Sequence, residues 1–208
     1  MDFNNEKKIE ELLNIINTDI KEKLSEKRYN HSIGVMKKAE ELAKKYDADI
    51  NKVRLVGLSH DIAKEMTKQE KLDYVKNNKI EVDDIESINV GLLHGKIGAD
   101  ICKKKYDFTQ DMQDAIKFHT TGHKDMNLLS KIIFLADKIE DGRTYKDEKK
   151  MENLNYVREI ATQNLDMAIL LSLDNSLIYT IQKQELIHPD SIDTRNQLIL
   201  NLKLDEKK

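Results

Sequence analysis

With a single cysteine, Cys102, the 208-residue chain can build neither an internal disulfide framework nor a cysteine-based zinc knuckle, and it suits a reducing compartment. It has one proline and no tryptophan, and lysine, glutamate, leucine, isoleucine and alanine dominate, a composition that points to helices. No apolar run approaches the length of a bilayer span. The longest are Ile132 to Ala136 and Ala168 to Leu171, and Met1 to Glu6 lacks the apolar core of a signal peptide. Neither sign of charge prevails: 35 Lys and Arg face 38 Asp and Glu, for a net charge of −3, so nothing makes a basic footprint for nucleic acid. The expectation is a soluble, cytoplasmic protein that engages neither nucleic acid nor membrane. At this length it reads as one domain, 1–208.

What is present is helical periodicity. The pattern predicts helices near 5–26, 29–46, 49–64 (Asp49 as N-cap), a short one from Thr67 to 77, then 90–106, 109–119 and 128–140. Thr67 and Glu70 have the spacing of a capping box. A long helix over 151–184 and a last one near 190–203, capped by Asp190 or Ser191 after Pro189, complete an all-α reading. The long helix carries Leu154, Val157, Ile160, Leu165, Ala168 and Ile169, enough to pack on the domain or on a second subunit, which leaves a homodimer open.

A chain this charged should keep its polar groups outside, and several residues break that rule. His31 shares a helical face with Val35, Ala39 and Leu42; His60 aligns with Val53 and Val56; His94 with Ile97 and Ile101; His119 with Met112, Ala115 and Ile116. Asp137 ends the apolar stretch Ile132 to Ala136, where a carboxylate is costly unless paired or metal-bound. A lone inward histidine is most often a hydrogen-bonded core residue. Five such anomalies on five predicted helices call for one explanation, and convergence on a metal supplies it. The glycines agree: Gly34, Gly57, Gly91, Gly95, Gly98, Gly122 and Gly142 all lie within five residues of these positions, which suggests close backbone approach there.

The order His31, His60-Asp61, Asp137 resembles the H…HD…D pattern of the HD-domain phosphohydrolases, and His94 and His119 resemble the subset with a second metal site. The stretches Arg28 to Val35, Gly57 to Lys64, Leu93-His94-Gly95, His119-Thr120-Thr121-Gly122, Leu135 to Glu140 and Ile187 to Asn196 are similar to the YqeK-type symmetrical bis(5'-nucleosyl)-tetraphosphatases. The resemblance spans about residues 25–200. It implies an HD helical bundle with a core at about 25–145 and C-terminal helices at about 150–203, including a long one. It also implies cleavage of diadenosine tetraphosphate into two ADP by a hydroxide bridged between metals. The implied ligands are His31, His60, Asp61 and Asp137 for one metal, with Asp61 shared and His94 and His119 for the other. Imidazole and carboxylate without thiolate suit iron, with manganese as the alternative.

A polyanionic nucleotide needs further cations. Lys64 follows Asp61 by three residues, on the same helical face, and is the first choice for a phosphate contact and a catalytic role beside Asp61. Arg28 lies one turn before His31, Arg143 lies beyond Asp137, and Thr120 and Thr121 offer hydroxyls or backbone N–H groups. His123 and His188 stay outside the ligand set. Ser59 has no nucleophile elbow around it, and the chain has no glycine-rich phosphate loop. The competing readings are another nucleotide phosphohydrolase of the same superfamily, a nucleotide- or metal-binding module without turnover, and a plain helical bundle with satisfied polar residues.

Overall fold

Helix starts in this chain are set by side-chain caps. Ser25 accepts from the Arg28 N–H, Asp49 from Lys52, Asn127 from Ser130, Asp147 from Lys150 and Asn164 from Met167. Each satisfies a backbone donor that the first helical turn leaves without a partner. The computed structural model describes residues 6–205, and every helix or strand found among them is helical. In chain order these are α1 (Glu6–Lys23), α2 (Glu26–Tyr46), α3 (Ile50–Ser59), α4 (Lys68–Asn77), α5 (Asp84–Ile88), a 3-10 turn (Val90–Leu92), α6 (Leu93–Tyr106), α7 (Gln110–Lys117), α8 (Leu128–Ile139), α9 (Glu148–Ala161), α10 (Leu165–Gln182) and α11 (Pro189–Asp205). The expected start at residue 5 lies outside the described residues. None of these helices is long and apolar enough to cross a membrane.

The Thr67/Glu70 capping box is present. Four expectations change. The third helix ends at Ser59, and His60 to Glu65 form consecutive turns. The helix expected over 151–184 is two, α9 and α10, separated at Thr162 to Asn164, where Asn164 caps α10. The short α5 was not anticipated, although Asp83 and Glu86 form a second capping box there. Finally, α11 starts at Pro189 itself, and the His188 ring, not Asp190 or Ser191, takes the Asp190 N–H through Nδ1 at 3.2 Å.

α8 is the central element. Ile132, Ile133, Phe134, Leu135 and Ala136 are all fully buried, and α8 packs against α2, α3, α7 and α10. Burial all round the helix explains why the run is apolar without a polar face. α2 crosses α3 at Gly57, where an added Cβ would lie 2.9 Å from the Met36 Cα. α6 meets the end of α7 at Gly95, where it would lie 2.6 Å from the Lys117 carbonyl oxygen. A second, smaller core (Ala63, Val75, Val90, Leu93, Ile97) seats α4 and the 3-10 turn on α6. α9 lies on the domain through Leu154, Val157 and Ala161. Its Arg158 holds the loop after α8 by donating to the carbonyls of Ile139, Glu140 and Arg143.

Candidate metal centre

These crossings bring together one helix-interior residue and five from helix ends. His31 projects from the second turn of α2. His60 and Asp61 follow α3 directly, His94 opens α6, His119 follows α7, and Asp137 sits in the last turn of α8. His60, Asp61, His94 and His119 are at most 1% exposed, and Asp137 is 9% exposed.

Asp61 lies at the centre. Its Oδ2 faces His31 Nε2 at 3.9 Å and His60 Nε2 at 3.5 Å, while Oδ1 faces His94 Nε2 at 3.3 Å and His119 Nε2 at 3.5 Å. Asp137 Oδ1 closes the first side, 3.0 Å from His31 Nε2 and 3.8 Å from His60 Nε2. The structure thus forms two adjoining groups, His31-His60-Asp61 and Asp61-His94-His119, joined by one carboxylate.

The protons on the rings can be placed from their outer partners. Nδ1 of His60, His94 and His119 donates to the carbonyls of Gly57, Gly91 and Ile116 at 2.8, 2.6 and 2.7 Å. The Nε2 lone pairs of these three rings therefore turn inward, the arrangement that metal-binding imidazoles require. His31 meets a carboxylate on either side, Glu140 Oε1 3.2 Å from Nδ1 and Asp137 Oδ1 3.0 Å from Nε2, and a metal at Nε2 would leave the proton on Nδ1 facing Glu140. His60 Nε2 and Asp61 Oδ1 are buried without a hydrogen-bond partner among the described residues. The Nε2 atoms of His94 and His119 approach to 3.0 Å, although each neutral ring carries its proton on Nδ1. Buried acceptors aimed at one another are costly unless a cation resolves them, so the donor set fits metal ions, and its N and O atoms suit a first-row transition metal.

The electrostatics follow from this crowding. Burial works against ionisation of Asp61, yet His60, His119, His94 and Lys64 hold its carboxyl well below the usual carboxylate range. Asp137 is likewise held down against burial, by Lys138 and by His31 and His60. Burial pushes His119 down to about 4 and lowers His94. His60 moves up despite burial, because it faces Asp61 and Asp137. Burial also lowers Lys64.

The other expected site residues surround this cluster. Lys64 Nζ donates to His94 Nε2 at 3.1 Å and lies 3.8 Å from Asp61 Oδ1. Arg28 Nη1 pairs with Asp61 Oδ2 at 2.9 Å. Thr120 Oγ1 is 3.2 Å from His119 Nε2, whereas the Thr121 hydroxyl donates to the Gly122 carbonyl; both threonines line a cavity that also borders Lys96, Lys117 and Phe118. Arg143 reaches back to the Asp137 carbonyl at 2.7 Å. His123 stacks on Phe118. His188 binds Asp83 at 2.9 Å; with Glu86 these form a third group of metal-capable residues, but Lys96 already neutralises Glu86 at 2.5 Å.

Two residues escaped the sequence reading. Lys138 binds Asp137 Oδ2 at 2.7 Å and reaches the His119 carbonyl at 3.4 Å, and Glu140, 5% exposed, receives His31. Both lie in the stretch Leu135 to Glu140 that carries the family resemblance, and the further signal for Lys138 was its position next to Asp137. For Glu140 it was an acid one turn beyond a buried one.

The sequence matches the HD domain family over residues 28–142. It is 40% identical to a symmetrical bis(5'-nucleosyl)-tetraphosphatase of Halalkalibacterium halodurans, over 88% of this chain and 95% of that protein. It is 32% identical to the Bacillus subtilis protein of the same name, over 86% of this chain and 94% of the relative. A crystal structure from Clostridium acetobutylicum, described as a predicted HD superfamily hydrolase involved in NAD metabolism, superposes with a TM-score of 0.84 at 38% identity, covering 90% of this chain and 97% of that one. With its six-residue His/Asp cluster inside the matched segment, the chain belongs to the HD domain family.

Proposed function

We propose that this chain is a metal-dependent hydrolase of dinucleoside polyphosphates that splits diadenosine tetraphosphate into two molecules of ADP. The observation that carries the reading is Asp61, whose two oxygens each face a separate pair of inward imidazoles. The names of the relatives supply the substrate. His31, His60, Asp61 and Asp137 would hold one metal, and Asp61, His94 and His119 the other, iron by preference and manganese as the alternative. Bound there, such ions supply Lewis acidity toward phosphoryl oxygens and lower the pKa of water.

The chain's own groups do the rest. Symmetrical cleavage breaks the oxygen bridge between the two central phosphorus atoms. The water oxygen is added to one phosphorus, the bridging oxygen leaves with the other, and each half departs as ADP. Lys64 is the cation set closest to the His94/His119 side and contacts a phosphoryl oxygen there. Arg28 and Arg143 flank the His31 side and take charge from the other half. Thr120 offers its hydroxyl between His94 and His119, and Thr121 extends the contact into the adjoining cavity. The charges around Asp61 and Asp137 keep both carboxylates ionised throughout. With one cysteine, the buried Cys102, the chain can form no internal disulfide, which suits a reducing, cytoplasmic compartment.

The test is product identification by chromatography after anaerobic loading with ferrous or manganous ion. ADP as sole nucleotide product, with about two metals per chain, supports the assignment. ATP plus AMP refutes symmetrical cleavage. Metal uptake with no nucleotide released from diadenosine tetraphosphate moves the substrate elsewhere.

A further inference from the structure

His60, His94 and His119 each give the Nδ1 proton to the carbonyl three residues earlier, at Gly57, Gly91 and Ile116. His60 and His119 follow the C-terminal ends of α3 and α7, where such carbonyls are free, and the Gly91 carbonyl comes from the 3-10 turn that runs into α6. His31 stands inside α2, where the carbonyl one turn back belongs to the helix ladder. Its Nδ1 reaches instead to the carboxylate of Glu140, from the loop after α8.

That carboxylate is held from several directions. The Gly142 N–H donates to Oε2 at 2.6 Å, while Arg158 fixes the Glu140 carbonyl at 2.7 Å. Room for it comes from two glycines. A Cβ on Gly34, one turn beyond His31, would lie 2.5 Å from Glu140 Oε2, and a Cβ on Gly142 would lie 2.9 Å from the same atom. Gly34 sits in a helix interior, where glycine costs roughly 0.5–1 kcal/mol relative to alanine. Its backbone has no positive φ to justify it, so the space it leaves does.

We infer that Glu140 is a positioning residue for His31: its carboxylate takes the Nδ1 proton and turns Nε2 toward Asp137 and Asp61, and Gly34 and Gly142 make the space it occupies. This rests on the metal-centre reading above. Loss of an outer partner of this kind typically costs about 10–100-fold in metal affinity or activity.

The experiment compares the parent chain with Glu140→Ala, Glu140→Gln and Gly34→Ala. It measures manganous or cobaltous ion binding to metal-free protein by chelator competition, and the His31 ring tautomer by nitrogen NMR. Glu140→Ala is expected to weaken one of the two binding steps by about 10–100-fold and to release the His31 tautomer. Glu140→Gln, whose amide oxygen can still accept, restores much of both. Gly34→Ala separates positioning from stability. A purely structural role makes it neutral or stabilising with unchanged metal binding, whereas displacement of the carboxylate weakens binding in a chain that melts no lower. It also serves if Glu140→Ala fails to fold. Parent-like binding and tautomer in Glu140→Ala, or parent-like binding in Gly34→Ala, overturns the inference. A parent chain that takes up no metal overturns the metal-centre reading instead.

Discussion

Gly95→Ala puts the closeness of α6 and α7 to a direct test. The added Cβ would lie 2.6 Å from the Lys117 carbonyl oxygen and 3.3 Å from that of Ile116, both backbone atoms that cannot rotate away. Relief to an ordinary contact requires α6 to withdraw by roughly 0.5–1 Å. Overpacking of this kind costs about 1–3 kcal/mol, and the better helix propensity of alanine returns about 0.5–1 kcal/mol. The net is a loss of up to about 2.5 kcal/mol, centred near 1 kcal/mol, or about 2–4 °C in melting temperature at that centre for a chain of this size. The consequence at the centre is larger, because His94 adjoins Gly95 and His119 lies two residues past Lys117, with their Nε2 atoms 3.0 Å apart. Metal–ligand distances tolerate about ±0.2 Å, so the His94/His119 side should lose its metal first. The assay is thermal melting beside metal content per chain. Gly91→Ala serves as control, since at that exposed position a Cβ meets only the Asn89 side chain, at 3.0 Å. A Gly95→Ala chain that melts at or above the parent and holds as much metal would refute the reasoning, because alanine in an open helix should stabilise.

Asp61→Asn removes the charge shared by both groups, and its loss of metal and of hydrolysis should exceed the roughly 10–100-fold typical of outer-shell changes; parent-like metal content would remove Asp61 from the bridge. Lys64→Ala should keep metal content while kcat/KM for diadenosine tetraphosphate falls by about 10²–10³, the scale of one lost electrostatic contact in the transition state; unchanged kinetics would take Lys64 out of the substrate contacts. In metal-free protein, His119 is held neutral by burial at about 4, below its unfolded value of about 6.5. The stability linked to it is therefore present above pH ~6.5 and lost as pH falls toward 4, by up to about 3 kcal/mol. Urea unfolding across that window should show a shallower decline for His119→Gln, and identical slopes would contradict the assignment. Asn164→Ala removes the cap of α10 and should cost about 1 kcal/mol, a melting decrease of about 2–4 °C; an unchanged melt would show that packing alone sets the α9–α10 break.

Helices in this chain were legible wherever a cap and a periodic stripe agreed, as at Asp49 and at Thr67 with Glu70. The break before α10 was hidden because the apolar spacing runs across it. Val157 and Ala161 on one side and Leu165 and Ile169 on the other keep a four-residue rhythm, and the Asn164 cap is one polar residue in a polar stretch. α5 was hidden by its length: five residues carry too little periodicity to be seen, although Asp83 and Glu86 have the same spacing as Thr67 and Glu70. At the site, the legible residues were those whose polarity clashed with an apolar face, which is why four histidines and Asp137 stood out. Lys138 and Glu140 did not, because in a chain with 35 Lys and Arg and 38 Asp and Glu a charge becomes informative only once its burial is known.

The centre uses a property of helix ends. A carbonyl in a helix interior is spent on the ladder, whereas the last carbonyls of a helix are free to accept. Placing His60 and His119 just past α3 and α7, and His94 where the 3-10 turn meets α6, lets the backbone orient three rings without any further side chain. The ring that comes from a helix interior cannot be served this way, so His31 needs a side-chain acceptor and space in which to bury it. Hence α2 carries Gly34 one turn past His31, and the loop after α8 carries Gly142 two residues past Glu140. Sequence spacing alone shows histidines and glycines near one another. Their division of labour depends on which carbonyls the helices leave unspent, a property of where each helix stops.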